Sequence, residues 1–277
     1  MQYREHRPSA RLASAVACFW TLEGHARELG DESQPVLPDG RAEFVVQFGD
    51  RFDRCDPEAG PQSQPAAIFA GQIERPLALR PTGHVAVLGV RFRPDGAAQF
   101  MRVPQHELIG STLDVACVSP ALAAAARVVR DTAPTLQQAV PIMERLLVDA
   151  MTTGARERRL AFAVDTIVRR GGLVSIDDAA RAAGLGRRQL ERLFLRDVGL
   201  PAKQLARIVR FQRALRILER DPHPPRGVRA AQASGYADQA HFIRDFRELA
   251  GCAPRQHLLR GAELTGLFSG RDDRRSR

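Results

Sequence analysis

The chain has 277 residues, of which 44% are apolar and 26% charged, a balance that excludes a disordered chain and leaves room for two domains with separate cores. Basic residues outnumber acidic ones 41 to 32, but unevenly: residues 156–260 hold 22 basic against 11 acidic, whereas residues 1–155 hold 15 against 18. That asymmetry points to a polyanion as the partner of the C-terminal part alone, and no stretch of the sequence is apolar enough for a membrane helix.

The first residues, MQYREHRPSA, are charged where a secretory signal would be hydrophobic, so a cytoplasmic protein is expected. From residue 12 to about 113 short runs rich in Val, Phe and Ile (CFWTL, AEFVVQF, AAIFAG, LALRP, HVAVLGVRF) alternate with turn formers such as Pro38-Asp39-Gly40 and Pro94-Asp95-Gly96. Strands at this spacing predict a sandwich or small barrel. Between 120 and 151 the period changes to that of two helices, the second starting near Thr135 with a break or bend at Pro141. These helices are expected to close the first domain or to pair with a second copy of it. A linker is placed near 155. Helices follow at 156–170, 175–183, 187–197, 201–219, 226–233, 238–248 and 254–260, and the polar tail 261–277 is expected to be disordered.

No catalytic constellation stands out. Cys18, Cys55, Cys117 and Cys252 lie far apart without metal-binding spacing, the histidines of the first 155 residues are dispersed, and there is no nucleophile elbow or phosphate loop. Neither cofactor nor metal is expected, and the chain does not read as an enzyme.

The informative feature is a repeat. SIDDAARAAGLGRRQLERLFLRDVGLP (175–201) and VRAAQASGYADQAHFIRDFRELAGCAP (228–254) follow one plan: a short helix with Ala-Ala near its middle, a glycine, a turn, and a second helix with a late Phe, ending in Gly and then Pro. This is a helix-turn-helix plan, in which the second helix enters the DNA major groove. At 100° per residue, Phe242, Ile243, Phe246, Leu249 and Ala250 share one arc of the last helix, while Ala240, His241, Arg244, Arg247 and Glu248 share the other. Leu190, Leu193 and Phe194 form the core arc of the first unit, with Arg188, Glu191, Arg192 and Leu195 outward. Phe194, Phe242 and Phe246 are therefore read as core and not as base-stacking residues. A helix of about nineteen residues separates the units by roughly 28 Å, near the roughly 34 Å between successive major-groove faces.

On these residues, with Ala179-Ala180, Gly184, Leu190, Arg192, Leu193, Phe194, Gly199 and Pro201 in one unit and Gly235-Tyr236, Phe242, Arg244, Phe246, Gly251 and Pro254 in the other, the region 165–258 resembles the DNA-binding domain of AraC/XylS-family bacterial transcription regulators. Cys252-Ala253 and Leu205 depart from the family's usual residues. The resemblance implies an α+β chain: a β-rich, cupin-like N-terminal domain (1–155) with closing helices that senses a small molecule and helps form a homodimer, then an all-α domain (156–260) of two helix-turn-helix units that binds double-stranded DNA. RNA polymerase would be a partner if the protein activates transcription. By position, base contacts fall to Arg188, Glu191 and Arg192 and to Gln239, Ala240, His241 and Arg244. Arginine matches guanine, Gln adenine and Glu the cytosine amine. Arg187, Arg196, Arg247 and Arg255 are expected at phosphates. In the N-terminal domain Trp20, Arg41, Glu43 and Arg91 are expected to line any ligand pocket, with Phe44 as a further liner; for Trp20 and Phe44 the plainer reading is that they fill the barrel. The alternative to a regulator is a DNA repair or DNA-modifying protein using the same module, which would need an activated cysteine that the sequence does not supply.

Overall fold

The computed structural model describes residues 1–28, 33–151, 157–220 and 226–260. The N-terminal domain is a pair of antiparallel sheets. Strands β1 (Gln2–His6), β2 (Val16–His25), β4 (Glu43–Gln47), β7 (Ala67–Ala70), β9 (His84–Phe92) and β10 (Thr112–Asp114) form the larger sheet in the order β1-β2-β9-β4-β7-β10. Strands β3 (Gln34–Val36), β5 (Phe52–Asp56), β6 (Gly60–Ser63) and β8 (Leu77–Pro81) form the smaller in the order β3-β8-β5-β6. All five apolar runs of the sequence are strands. The five further strands are short or polar, as in FDRCD and GPQS, and carry little strand signal of their own.

The larger sheet is covered on both faces. Phe19, Phe44, Val46, Phe69, Leu88, Val90 and Phe92 point to α1 (Pro120–Thr132) and α2 (Leu136–Ala150) and share a core with Leu122, Val129, Met143 and Leu147. The alternate residues of the same strands, Trp20, Leu22, Val45, Val87 and Arg91, face the smaller sheet. Thus α1 and α2 close the barrel, as one of the two sequence readings held. Ser119 and Thr135 cap these helices by accepting the backbone N–H of Leu122 and Gln138. The expected break at Pro141 is not found. α2 runs on through it, because Val140, Met143 and Leu147 are anchored in the core and compensate the one backbone hydrogen bond that proline removes.

The second domain is helical: α3 (Arg158–Arg169), α4 (Ile176–Ala182), α5 (Arg187–Leu193), α6 (Ala202–Arg220), α7 (Arg226–Ala233), α8 (Gln239–Ala250) and α9 (Pro254–Arg260). α5 continues into a wider π turn over Phe194–Val198, closed by the Gly199 N–H donating to the Phe194 carbonyl at 2.8 Å. One apolar core runs through both helical units, with Leu190, Phe194, Phe211, Phe242 and Phe246 all fully buried. The linker near 155 and the tail 261–277 lie outside the described residues.

The two domains touch. Leu37, from the turn before β4, is buried in the core of the helical domain. The Gln212 side-chain amide donates to the Pro38 carbonyl at 2.6 Å, the Gln72 amide to the Val198 carbonyl at 2.7 Å, and Arg93 pairs with Asp165.

Candidate nucleic-acid interface and barrel cavity

The two helical units are built by the same bonds. In the first, the Gly184 N–H donates to Arg181 and the Leu185 N–H to Ala180; in the second, Gly235 donates to Gln232 and Tyr236 to Ala231. These bonds satisfy the last carbonyls of α4 and α7 and need a left-handed residue, which is why glycine stands at both places, with φ of +64° and +70°. Asp238 then starts α8 by accepting the His241 N–H at 2.7 Å.

The core arcs hold as read from the sequence. Leu190, Leu193, Phe194, Phe242, Phe246, Leu249 and Ala250 are buried, with Ile243 half-buried against the same core. Arg187, Arg188, Glu191, Arg192, Arg196, Gln239, Ala240, Arg244, Arg247 and Arg255 are exposed. Not all are equally free. Arg187 reaches Asp177 at 3.1 Å and Glu191 at 3.2 Å, which holds its guanidinium above its ordinary pKa and occupies part of the Glu191 carboxylate. Arg196 is paired with Asp197 at 2.6 Å. Arg188, Arg192 and Arg244 have no carboxylate partner among the described residues, so their five-donor forks are available to an outside acceptor. His241 is half-buried, its ring edge-on to Tyr236 at 5.2 Å and 3.8 Å from Asp245.

Sequence reasoning missed the brace behind α8. Arg207 of α6 reaches Asp245 at 3.0 Å and also holds Glu248, while Arg210 lies over the Tyr236 ring at 5.1 Å. Hydrogen bonds from Glu248 and Asp245 outweigh desolvation and raise the Arg207 guanidinium. Asp245 falls on neither arc of the helical projection, and its partner is 38 positions away. A buried acid on a reader helix was the only available signal.

Trp20, Arg41, Glu43 and Arg91 line one cavity of about 90 Å³ between the two sheets. Phe44 faces the opposite side and fills the helix-packed core, so its expected place in a pocket is corrected by the alternation of β4. Arg91 is 2% exposed. Its Nε donates to Glu43 at 2.7 Å and its Nη1 to Glu5 at 3.2 Å; Asp39 stands 3.9 Å away. Burial works against the Arg91 charge, but Glu43 and the neighbouring anions hold it well above its ordinary value, while burial raises both Asp39 and Glu43. The Trp20 indole donates to Glu43 at 3.2 Å. Among the described residues no group of three His, Cys, Asp or Glu could hold a metal ion, and no helix is long and apolar enough to cross a membrane.

Residues 179–260 match a family described as Helix-turn-helix domain, and residues 4–114 match a family described as Domain of unknown function (DUF6597). Among solved structures, ToxT from Vibrio cholerae is 11% identical and aligns over 87% of this chain and 98% of its own, with a TM-score of 0.50; at that identity the likeness concerns the fold. An AraC-type regulator from Chromobacterium violaceum is 28% identical over 39% of this chain and 95% of its own (TM-score 0.35). A probable AraC family regulator from Rhodopseudomonas palustris is 25% identical over 37% and 96% (TM-score 0.34). No curated protein matches the chain.

Proposed function

From a chain that carries an AraC-type helix-turn-helix domain behind a sheet-rich domain, and that is a DNA-binding transcription regulator, we propose a specific way of reading DNA. α5 and α8 enter successive major grooves. Arg188, Glu191 and Arg192 meet bases in one groove, Gln239, Ala240, His241 and Arg244 in the next, and Arg187, Arg196, Arg247 and Arg255 hold phosphates. The observation that carries this is the pair of identically bonded units at either end of the 19-residue α6, each presenting exposed arginines.

In this reading the barrel is the sensor. Trp20, Arg41, Glu43 and Arg91 receive a small effector, and the segment Leu37–Arg41, which walls the cavity and reaches α6 through Leu37 and Pro38, passes the event on. The protein works in the cytoplasm as a homodimer, recruits RNA polymerase where it activates, and performs no chemistry. The repair-enzyme alternative is disfavoured at Cys18, because burial pushes its thiol up to about 12 and leaves no thiolate at neutral pH.

The test is footprinting with Arg192→Ala and Arg244→Ala. Each is expected to relax selectivity by about 1–3 kcal/mol at its own position, the two positions lying about one helical turn apart; footprints that ignore both substitutions would remove the groove assignment.

A further inference from the structure

Arg91 stands where two open spaces meet, the cavity between the sheets and a cleft of about 280 Å³ between the barrel and α6. Two of its nitrogens are engaged by Glu43 and Glu5, but Nη2 is buried without a hydrogen-bond partner. A buried donor left unmade is costly and becomes favourable once an acceptor arrives. The rest of the cavity wall is largely apolar, including Leu22, Val45, Ile68, Leu79 and Val87. The local charge is already acid-rich: Glu5, Asp39 and Glu43 surround Arg91 and Arg41, three carboxylates against two guanidiniums.

Resting on the reading of the barrel as a sensor, we infer that its effector is a small, uncharged, apolar molecule with one hydrogen-bond acceptor, a carbonyl or ether oxygen, placed on Arg91 Nη2. A carboxylate ligand would add a fourth negative group beside Asp39 and Glu43 in a site screened from water. An amine would bring a cation against Arg91 and leave Nη2 unmet. A pure hydrocarbon would fill the apolar wall and also leave Nη2 unmet. The cavity of about 90 Å³ limits the molecule to a few carbon atoms unless it extends toward the cleft.

The chain has one tryptophan, Trp20, and it lines this cavity, so its fluorescence reports occupancy directly. The full chain is titrated with three near-isosteres: 4-methylpentan-2-one, 3-methylbutanoate and 2,4-dimethylpentane. The ketone is expected to bind about tenfold or more tightly than either of the others, the size of effect that satisfying one buried donor produces. Equal binding of ketone and hydrocarbon overturns the role of Arg91. Tighter binding of the carboxylate overturns the charge argument, and would mean that its head is drawn to Arg41 and Arg216 on the cleft side. If none of the three perturbs Trp20, the sensor reading itself fails. A second arm uses Glu43→Gln, which removes one negative charge and keeps an oxygen for Trp20. The carboxylate should gain on the ketone in this variant, and an unchanged ratio overturns the assignment.

Discussion

Gly89 has no side chain because the Trp20 ring occupies the place where one would stand: a Cβ there would lie 1.9 Å from the indole. The two residues are direct partners in the β2–β9 pairing. That close fit shows why the core of this protein was only partly legible from the sequence. The helical arcs followed from spacing alone, since every turn of α5 and α8 repeats one buried face, and so did the exposed arginines. Trp20, Glu43 and Arg91 were legible as polar or aromatic interruptions of apolar strands, but their meeting depends on strand register that spacing does not encode. The Arg207–Asp245 brace was hidden for the same reason. The division between core and reader residues can be checked on α8. Phe246→Ala is expected to cost about 3–5 kcal/mol in denaturant unfolding, because it empties a fully buried site between Phe211 and Phe242. Arg244→Ala, exposed and without a carboxylate partner among the described residues, should leave stability within about 0.5 kcal/mol and change only DNA binding.

At the scale of elements, the turn Leu37–Arg41 carries more than its sequence suggested. Pro38-Asp39-Gly40 reads as a tight turn into a buried strand, and it is one. The same residues are also a wedge: Leu37 lies in the helical core, Pro38 accepts from Gln212, and Gly40, at φ +75°, would place a Cβ 2.7 Å from Leu205. Nothing in a turn motif announces what packs on its outer side. Gly40→Val should therefore strain the backbone by about 1–3 kcal/mol and also push against α6. The expected result is faster amide hydrogen exchange around Leu205–Gln212 with the far strands β5 and β6 unchanged. Exchange that rises throughout the barrel instead would mean that the turn belongs to the first domain alone.

For the whole molecule, charge and fold divide the chain in the same place. The basic excess lies on the helical domain, so the counterions released on DNA binding should come from there alone. A fragment spanning 157–277 is expected to recognise the same site with the same dependence of log affinity on log salt as the full chain. It should bind more weakly and melt at a lower temperature, since it loses Leu37 from its core and the Gln72 and Gln212 bonds. A shallower salt slope for the fragment would show that the barrel also meets phosphates.

The bonds between the domains are not shared evenly. At the end of the α5 π turn the Val198 carbonyl is held by Gln72, and the Leu195 carbonyl lies 3.2 Å from His106 Nδ1, both on the barrel. α8 is braced from within its own domain by Arg207. The barrel therefore grips one reader by its tail and leaves the other to an internal splint. In terms of an operator, one half-site is read on condition and the other by default. A shift of the barrel would make the protein let go of DNA from one side first and keep it tethered at the other.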